Sequence, residues 1–115
     1  MPPDEGGDAN ALSALVSACT LISIFVADFD WSKFERDELV ALAVCFQLVI
    51  LGEAVKRLSD NLPNAHSEGP WRDIAGMRDQ LAHRYDRIDR REVWRTAVFN
   101  VPMLVTQLRL IQTIP

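Results

Sequence analysis

The residues of this chain best suited to chemistry stand together in one short stretch: Arg78, Asp79, His83 and Tyr85. An imidazole with an ordinary pKa of about 6.5 takes or gives a proton near neutral pH. A guanidinium presents a planar fork of donors that suits phosphate oxygens. Asp79 precedes His83 by four residues, a helical spacing at which a carboxylate can orient an imidazole and favour its protonated form. Taking roughly 100° per residue with Arg78 at zero, Asp79 falls at about +100°, His83 at about +140° and Tyr85 at about −20°. Arg78 and His83 therefore do not share a face closely. An anion gripped by both must lie across the helix, or Arg78 must reach over, or a second copy must supply the missing half. Glu53 interrupts a strongly apolar stretch earlier in the chain and is a candidate to face the same cleft and assist Arg78.

Each of these residues has a plainer reading. Arg78 and Asp79 can form a surface ion pair worth under about 1 kcal/mol. Tyr85 can pack its ring at a domain edge with its hydroxyl in water. The charge is uneven, residues 71–95 holding seven arginines against five acids and residues 1–38 eight acids and two bases, but a solvated helix face laced with Asp–Arg pairs explains most such runs. An anionic ligand would go to the basic segment. The net charge of −4 argues against the whole surface coating nucleic acid.

The elements that must position these residues read as helices only. Residues 1–8, rich in Pro, Gly and acids, are expected to be a tail, with one helical domain over 9–115. A first helix is predicted over about 9–27, with Asn10, Ser13, Ser17 and Thr20 drawing a polar stripe down one side. Ser32 with Glu35 is a capping-box pattern for a helical turn. A second long helix, about 37–58, is apolar nearly all round and must be the most buried element, with Gly52 allowing a neighbouring helix to approach closely. Residues 59–70 read as a loop. Pro70 then opens a helix that extends to about Tyr85, with Ile74, Met77 and Leu81 as its core stripe. Asp89 caps a further helix, and Pro102 kinks it or opens a last one through Ile111. The expected fold is all-α, an antiparallel bundle of four to five helices.

Cys19 and Cys45 sit in apolar stretches with no metal-ligand spacing around them, so they read as small buried hydrophobes of a reducing compartment. The nineteen residues from Ala9 to Ala27 carry no charge and reach transmembrane length. Their polar stripe and acidic flanks, Asp8 and Asp28, argue for a bundle helix instead, and a cytoplasmic protein is expected.

The pattern Arg78-x4-His83-x-Tyr85 resembles the R-x-x-x-x-H-x-Y motif of HEPN-superfamily proteins, in particular the HepT-like ribonuclease toxins. The likeness extends to LGEAVKRLS (Leu51 to Ser59), PWRDIAGMRDQLAHRY (Pro70 to Tyr85) and ID-x-x-x-VW (Ile88 to Trp94) with the later Pro102, in the family's order and spacing. One departure is the stretch Cys45 to Val49, more apolar than the family pattern.

The resemblance implies a metal-independent endoribonuclease that needs no cofactor. It would act on RNA as a symmetric homodimer whose motif helices line one cleft, and serve as the toxin of a type VII-like toxin–antitoxin pair. The implied partner is a minimal nucleotidyltransferase antitoxin of the MntA type, which neutralises by transferring AMP to the motif tyrosine, Tyr85 here. The chemistry is consistent with that. RNA carries its own nucleophile, so cleavage needs a proton acceptor and donor (His83), a cation for the developing phosphorane charge (Arg78) and a group to hold the imidazole (Asp79). The surfaces expected to meet in a dimer are the motif helix and the exposed part of the second long helix, around Phe46. The alternative is a non-catalytic helical scaffold or nucleotide-binding subunit that uses Arg78 and Tyr85 only as contacts.

Overall fold

The computed structural model describes residues 5–112. Those residues form helices α1 (Glu5–Val26), α2 (Trp31–Arg36), α3 (Glu38–Arg57), α4 (Asn61–Ala65), α5 (Trp71–His83), α6 (Arg90–Arg95) and α7 (Val101–Gln112). A 3-10 turn, Tyr85–Arg87, follows α5, and a π-helical segment, Thr96–Asn100, joins α6 to α7. There is no strand among the described residues, so the all-α expectation holds.

The long helices lie where the apolar periodicity places them. On α1, Ala11, Leu15, Ala18, Cys19 and Ile22 are buried, while Asn10, Ser13, Ser17 and Thr20 face solvent. α1 packs chiefly on α3, and α3 on α5. α3 contributes Ala41, Val44, Leu48, Leu51 and Ala54 to the core, and α5 contributes Ile74, Met77 and Leu81. Gly7–Val26 and Glu38–Arg57 are each apolar and long enough to cross a membrane by length and composition, yet each spends a full face on this core.

The boundaries differ from expectation in informative places. α1 starts at Glu5, inside the stretch expected to be a tail, and residues 1–4 of that stretch lie outside the described residues. The early start is tied down by Asp8, whose carboxylate accepts from the Ser59 amide (2.8 Å) and the Ser59 hydroxyl (2.6 Å) at the far end of α3. The cap of α2 is Asp30, accepting from the Lys33 amide, and not Ser32. Part of the predicted 59–70 loop is helical, as α4. Asp89 caps α6 as expected, through the Arg91 amide.

Pro102 is the second residue of α7, so it opens the last helix as one of the two expectations had it, but with no break from the π-helical segment before it. A pyrrolidine ring inside an α-helix clashes with the carbonyl four residues back and leaves that carbonyl without its donor. The π turn immediately before it widens the helix, and the Val101 amide donates to the Thr96 carbonyl five residues back. Val93, Ala97, Val101, Leu104 and Leu108 then remain buried through the irregularity. At the other end, Phe34 lies fully buried against Trp94, with ring centroids 5.0 Å apart, and the Arg91 guanidinium lies 4.3 Å above the Trp31 ring.

Candidate functional site

The site begins with a close approach of α3 and α5. The two helices pack side by side because each offers a buried apolar stripe, and they approach tightly where α3 has no side chain. A Cβ added at Gly52 would stand 2.2 Å from the Arg78 Cβ and 2.9 Å from its Cγ. The root of the Arg78 side chain therefore occupies the space that any other residue at 52 would fill. The carbonyl of Ile74 borders the same space at 3.1 Å.

From that root the guanidinium is held by two carboxylates. Nη2 donates to Glu53 Oε1 at 2.9 Å, Nη1 donates to Asp79 Oδ1 at 3.1 Å, and Nε is buried with no partner. Glu53 follows Gly52 on α3, so the helix that makes room for the arginine also supplies its first anion. Lys56, one turn further along α3, donates its ammonium to the same Asp79 Oδ1. The result is an alternating row, Glu53, Arg78, Asp79 and Lys56, built by two helices. Arg78 stays protonated above its ordinary range, held first by the Glu53 hydrogen bond and then by Asp79. The Asp79 carboxyl lies below its ordinary value, lowered first by Lys56 and then by Arg78.

Two expectations need correction. Asp79 does not orient His83: among the described residues no hydrogen bond or ion pair joins them, because the carboxylate is turned toward two full cations on its α3 side. His83 is the last residue of α5 and is exposed. Tyr85 is not on that helix at all. α5 closes with the Arg84 amide donating to the Gln80 carbonyl at 2.7 Å, and the chain turns through a 3-10 segment. Between Leu81 and Ile88 every side chain is exposed, so nothing buried holds a further helical turn against the core. The helical angle expected for Tyr85 therefore does not apply.

Tyr85 stands half exposed (52%) beside a hollow of about 300 Å³ shared with Leu42, Cys45, Phe46, Val49 and Leu81. Leu39, Leu42 and Phe46 run along α3 at three- and four-residue steps and are 77%, 43% and 65% exposed. This apolar stripe leads along α3 toward Glu53. The structure thus brings Arg78, Asp79 and Glu53 into contact and leaves His83 and Tyr85 at the exposed end of the motif. Lys56 is the residue that reading the sequence missed. Its signal was available: Glu53 and Lys56 are three apart in GEAVK and share one helical face. Of the basic segment, Arg90 is bound to Glu38 and to the Glu35 carbonyl, and Arg91 covers Trp31. Arg72, Arg84, Arg87 and Arg95 make no ion pair among the described residues and remain open to a ligand.

Residues 15–111 match the sequence model of the family described as Ribonuclease HepT-like. The chain belongs to the HepT-like family of the HEPN superfamily. A Caldanaerobacter subterraneus protein bearing an RNase name is 34% identical over 98 residues, 85% of this chain and 88% of that protein. A Thermococcus cleftensis protein bearing the name "probable ribonuclease HepT" is 36% identical over 93 residues, 81% of this chain and 84% of that one. A Methanocaldococcus jannaschii protein with an RNase name is 35% identical over 78 residues, 68% of this chain and 67% of its own length. No solved structure matches the chain. Membership of this family supports a ribonuclease.

Proposed function

We propose that this HepT-like protein is a metal-independent endoribonuclease toxin, active as a cytoplasmic homodimer and neutralised by AMP transfer to Tyr85 from a minimal nucleotidyltransferase of the MntA type. The observation that carries the catalytic reading is the built position of Arg78: a glycine is spent to seat it, and a carboxylate on α3 aims it. A structural ion pair on a surface needs no such seat.

In the proposed reaction the 2′-hydroxyl of RNA attacks the adjacent phosphorus and the 5′-oxygen leaves. His83 moves the proton and Arg78 faces the charge that develops on the phosphorane oxygens. On one helix these two residues point about 140° apart, by five steps of roughly 100° each. A single protomer therefore presents half a site to a given phosphate, and this supports a dimer in which two motif ends share a cleft. The exposed Leu39, Leu42 and Phe46 stripe, beside Tyr85, supplies an apolar seam for that pairing. Tyr85 at its rim is accessible to a transferring enzyme, and a bulky anionic adduct there would obstruct the shared cleft.

Three measurements test the reading. Induced expression should arrest growth, and His83→Ala should abolish the arrest. Purified protein should cleave RNA in the presence of a chelator, with a loss of at least about 100-fold in His83→Ala, the scale expected of a lost acid–base group. Intact mass after incubation with the partner and ATP should rise in AMP increments that Tyr85→Phe lacks. Equal, harmless expression of wild type and His83→Ala would favour the scaffold reading instead.

A further inference from the structure

Asp79 Oδ1 accepts from Lys56 Nζ and from Arg78 Nη1, two cations delivered by two different helices to one oxygen. That is the arrangement a non-bridging phosphate oxygen takes between two basic side chains. We propose that Lys56 is the second cation of the phosphate site, and that the Asp79 carboxylate is its resting occupant, displaced when a phosphodiester binds. The proposal rests on the RNA-cleaving reading and adds to it a ligand residue and an internal competitor.

Three features of the site favour exchange. Arg78 is fixed: its Cβ and Cγ fill the space over Gly52, its Nη2 is tied to Glu53, and its Nε is buried. Lys56 and Asp79 are not fixed in this way, since their side chains are 41% and 47% exposed and the carboxylate can swing into water. Charge is also conserved. Glu53 and Asp79 balance Arg78 and Lys56, and a phosphodiester carries one negative charge, so replacing the carboxylate leaves the row neutral. Asp79 precedes His83 by four residues, a rise of roughly 6 Å along α5. A phosphate in the carboxylate's place, turned toward α3, would lie about one turn from its own protomer's His83, which leaves the proton transfer to the imidazole that a second protomer brings to the shared cleft.

A cycle of variants separates a phosphate ligand from a lysine that merely neutralises Asp79. In the non-cleaving His83→Ala protein, binding of a fluorescently labelled single-stranded RNA is followed by anisotropy at several salt concentrations. Asp79→Asn should tighten binding severalfold by removing the competitor. Lys56→Met should weaken it roughly tenfold, the usual worth of a charged hydrogen bond. It should also reduce the slope of log affinity against log salt by about 0.7, one phosphate contact on a single strand. Lys56→Arg should retain most of the affinity.

The deciding comparison is Lys56→Met in the Asp79→Asn background, where no carboxylate remains to neutralise. A phosphate ligand still loses affinity and salt slope there; a neutralising lysine loses neither, and that result overturns the proposal. Absence of RNA binding in the His83→Ala protein overturns it too. Failure of the ribonuclease reading shows separately, as an inert protein with His83 intact, while the binding cycle still decides the role of Lys56. Thermal melts of each variant verify folding.

Discussion

Replacing Gly52 by alanine sets two rules against each other, and the structure predicts which prevails. Helix propensity alone favours alanine over a mid-helix glycine by about 1 kcal/mol. At position 52, however, the new methyl carbon would lie 2.2 Å from the Arg78 Cβ and 3.1 Å from the Ile74 carbonyl oxygen. Carbon atoms rest at about 3.5–4.0 Å, so α3 and α5 must part by roughly 1 Å or more. Neither obstacle is the free end of a flexible side chain. The cost therefore belongs at the upper end of the roughly 1–3 kcal/mol range for overpacking, leaving a net loss of about 2 kcal/mol. At about 4 °C per kcal/mol, Tm should fall by roughly 8 °C. Gly76 provides the control on α5, since a Cβ there meets nothing within 4 Å. Gly76→Ala should accordingly raise Tm by up to about 4 °C through propensity alone. Circular-dichroism melts of both variants, with RNA cleavage measured well below Tm, form the assay. Moving Arg78 by about 1 Å should cost on the order of 100-fold in rate in Gly52→Ala. A Gly52→Ala protein that melts at or above wild type and cleaves RNA at the wild-type rate would falsify the account of how Arg78 is seated.

Phe46→Ser removes the most protruding ring near Tyr85 and should convert the proposed dimer to a monomer by light scattering, with Tm changed little and RNA cleavage lost; an active dimer would refute the α3 seam. The pH dependence of stability follows from Asp8 and Asp79, whose carboxyls both lie below the ordinary 3.8, Asp8 through Ser59 and Asp79 through Lys56 and Arg78. A depressed folded-state pKa adds stability above the unfolded pKa and loses it as pH falls through the folded value, so Tm should hold above about pH 5 and drop below 3.8. Asp8→Asn should flatten that drop, and an unchanged acid profile would count against the Asp8 to Ser59 tie. Burial pushes the Cys19 thiol up to about 12 and raises Cys45 as well, so neither should react with a thiol reagent at pH 8 until denaturant is added. Rapid labelling of the native protein would contradict that burial.

Much of the bundle was legible because its signals are local and periodic. The polar stripe of α1, the apolar run of α3 and the Ile74, Met77, Leu81 stripe of α5 each reappear as a solvent face or a buried face. The glycine at 52 was readable as a close approach, and Glu53 as its neighbour in the cleft. What failed was decided by competition at a distance. Asp79 has a histidine four residues ahead, which sequence shows, and a lysine 23 residues back, which only the packing of α3 on α5 brings near. Tyr85 left its helix because no core residue lies between Leu81 and Ile88 to hold one more turn, a negative signal that a motif spacing hides. Pro102 as a start was legible, but the π turn that joins it to α6 was not, since it depends on both flanks keeping their buried faces in phase.

The order in which the long helices pair bears on how the chain is made. α1 precedes α3 in the order of synthesis, and from Ala9 to Ala27 the chain has no charge to keep it from apolar company. Its main mate, α3, is the next long helix synthesised, and the Asp8 clasp on Ser59 shuts that pair as soon as α3 is complete. Pairing between sequence neighbours is quick, so α1 and α3 can cover each other's apolar faces early in folding.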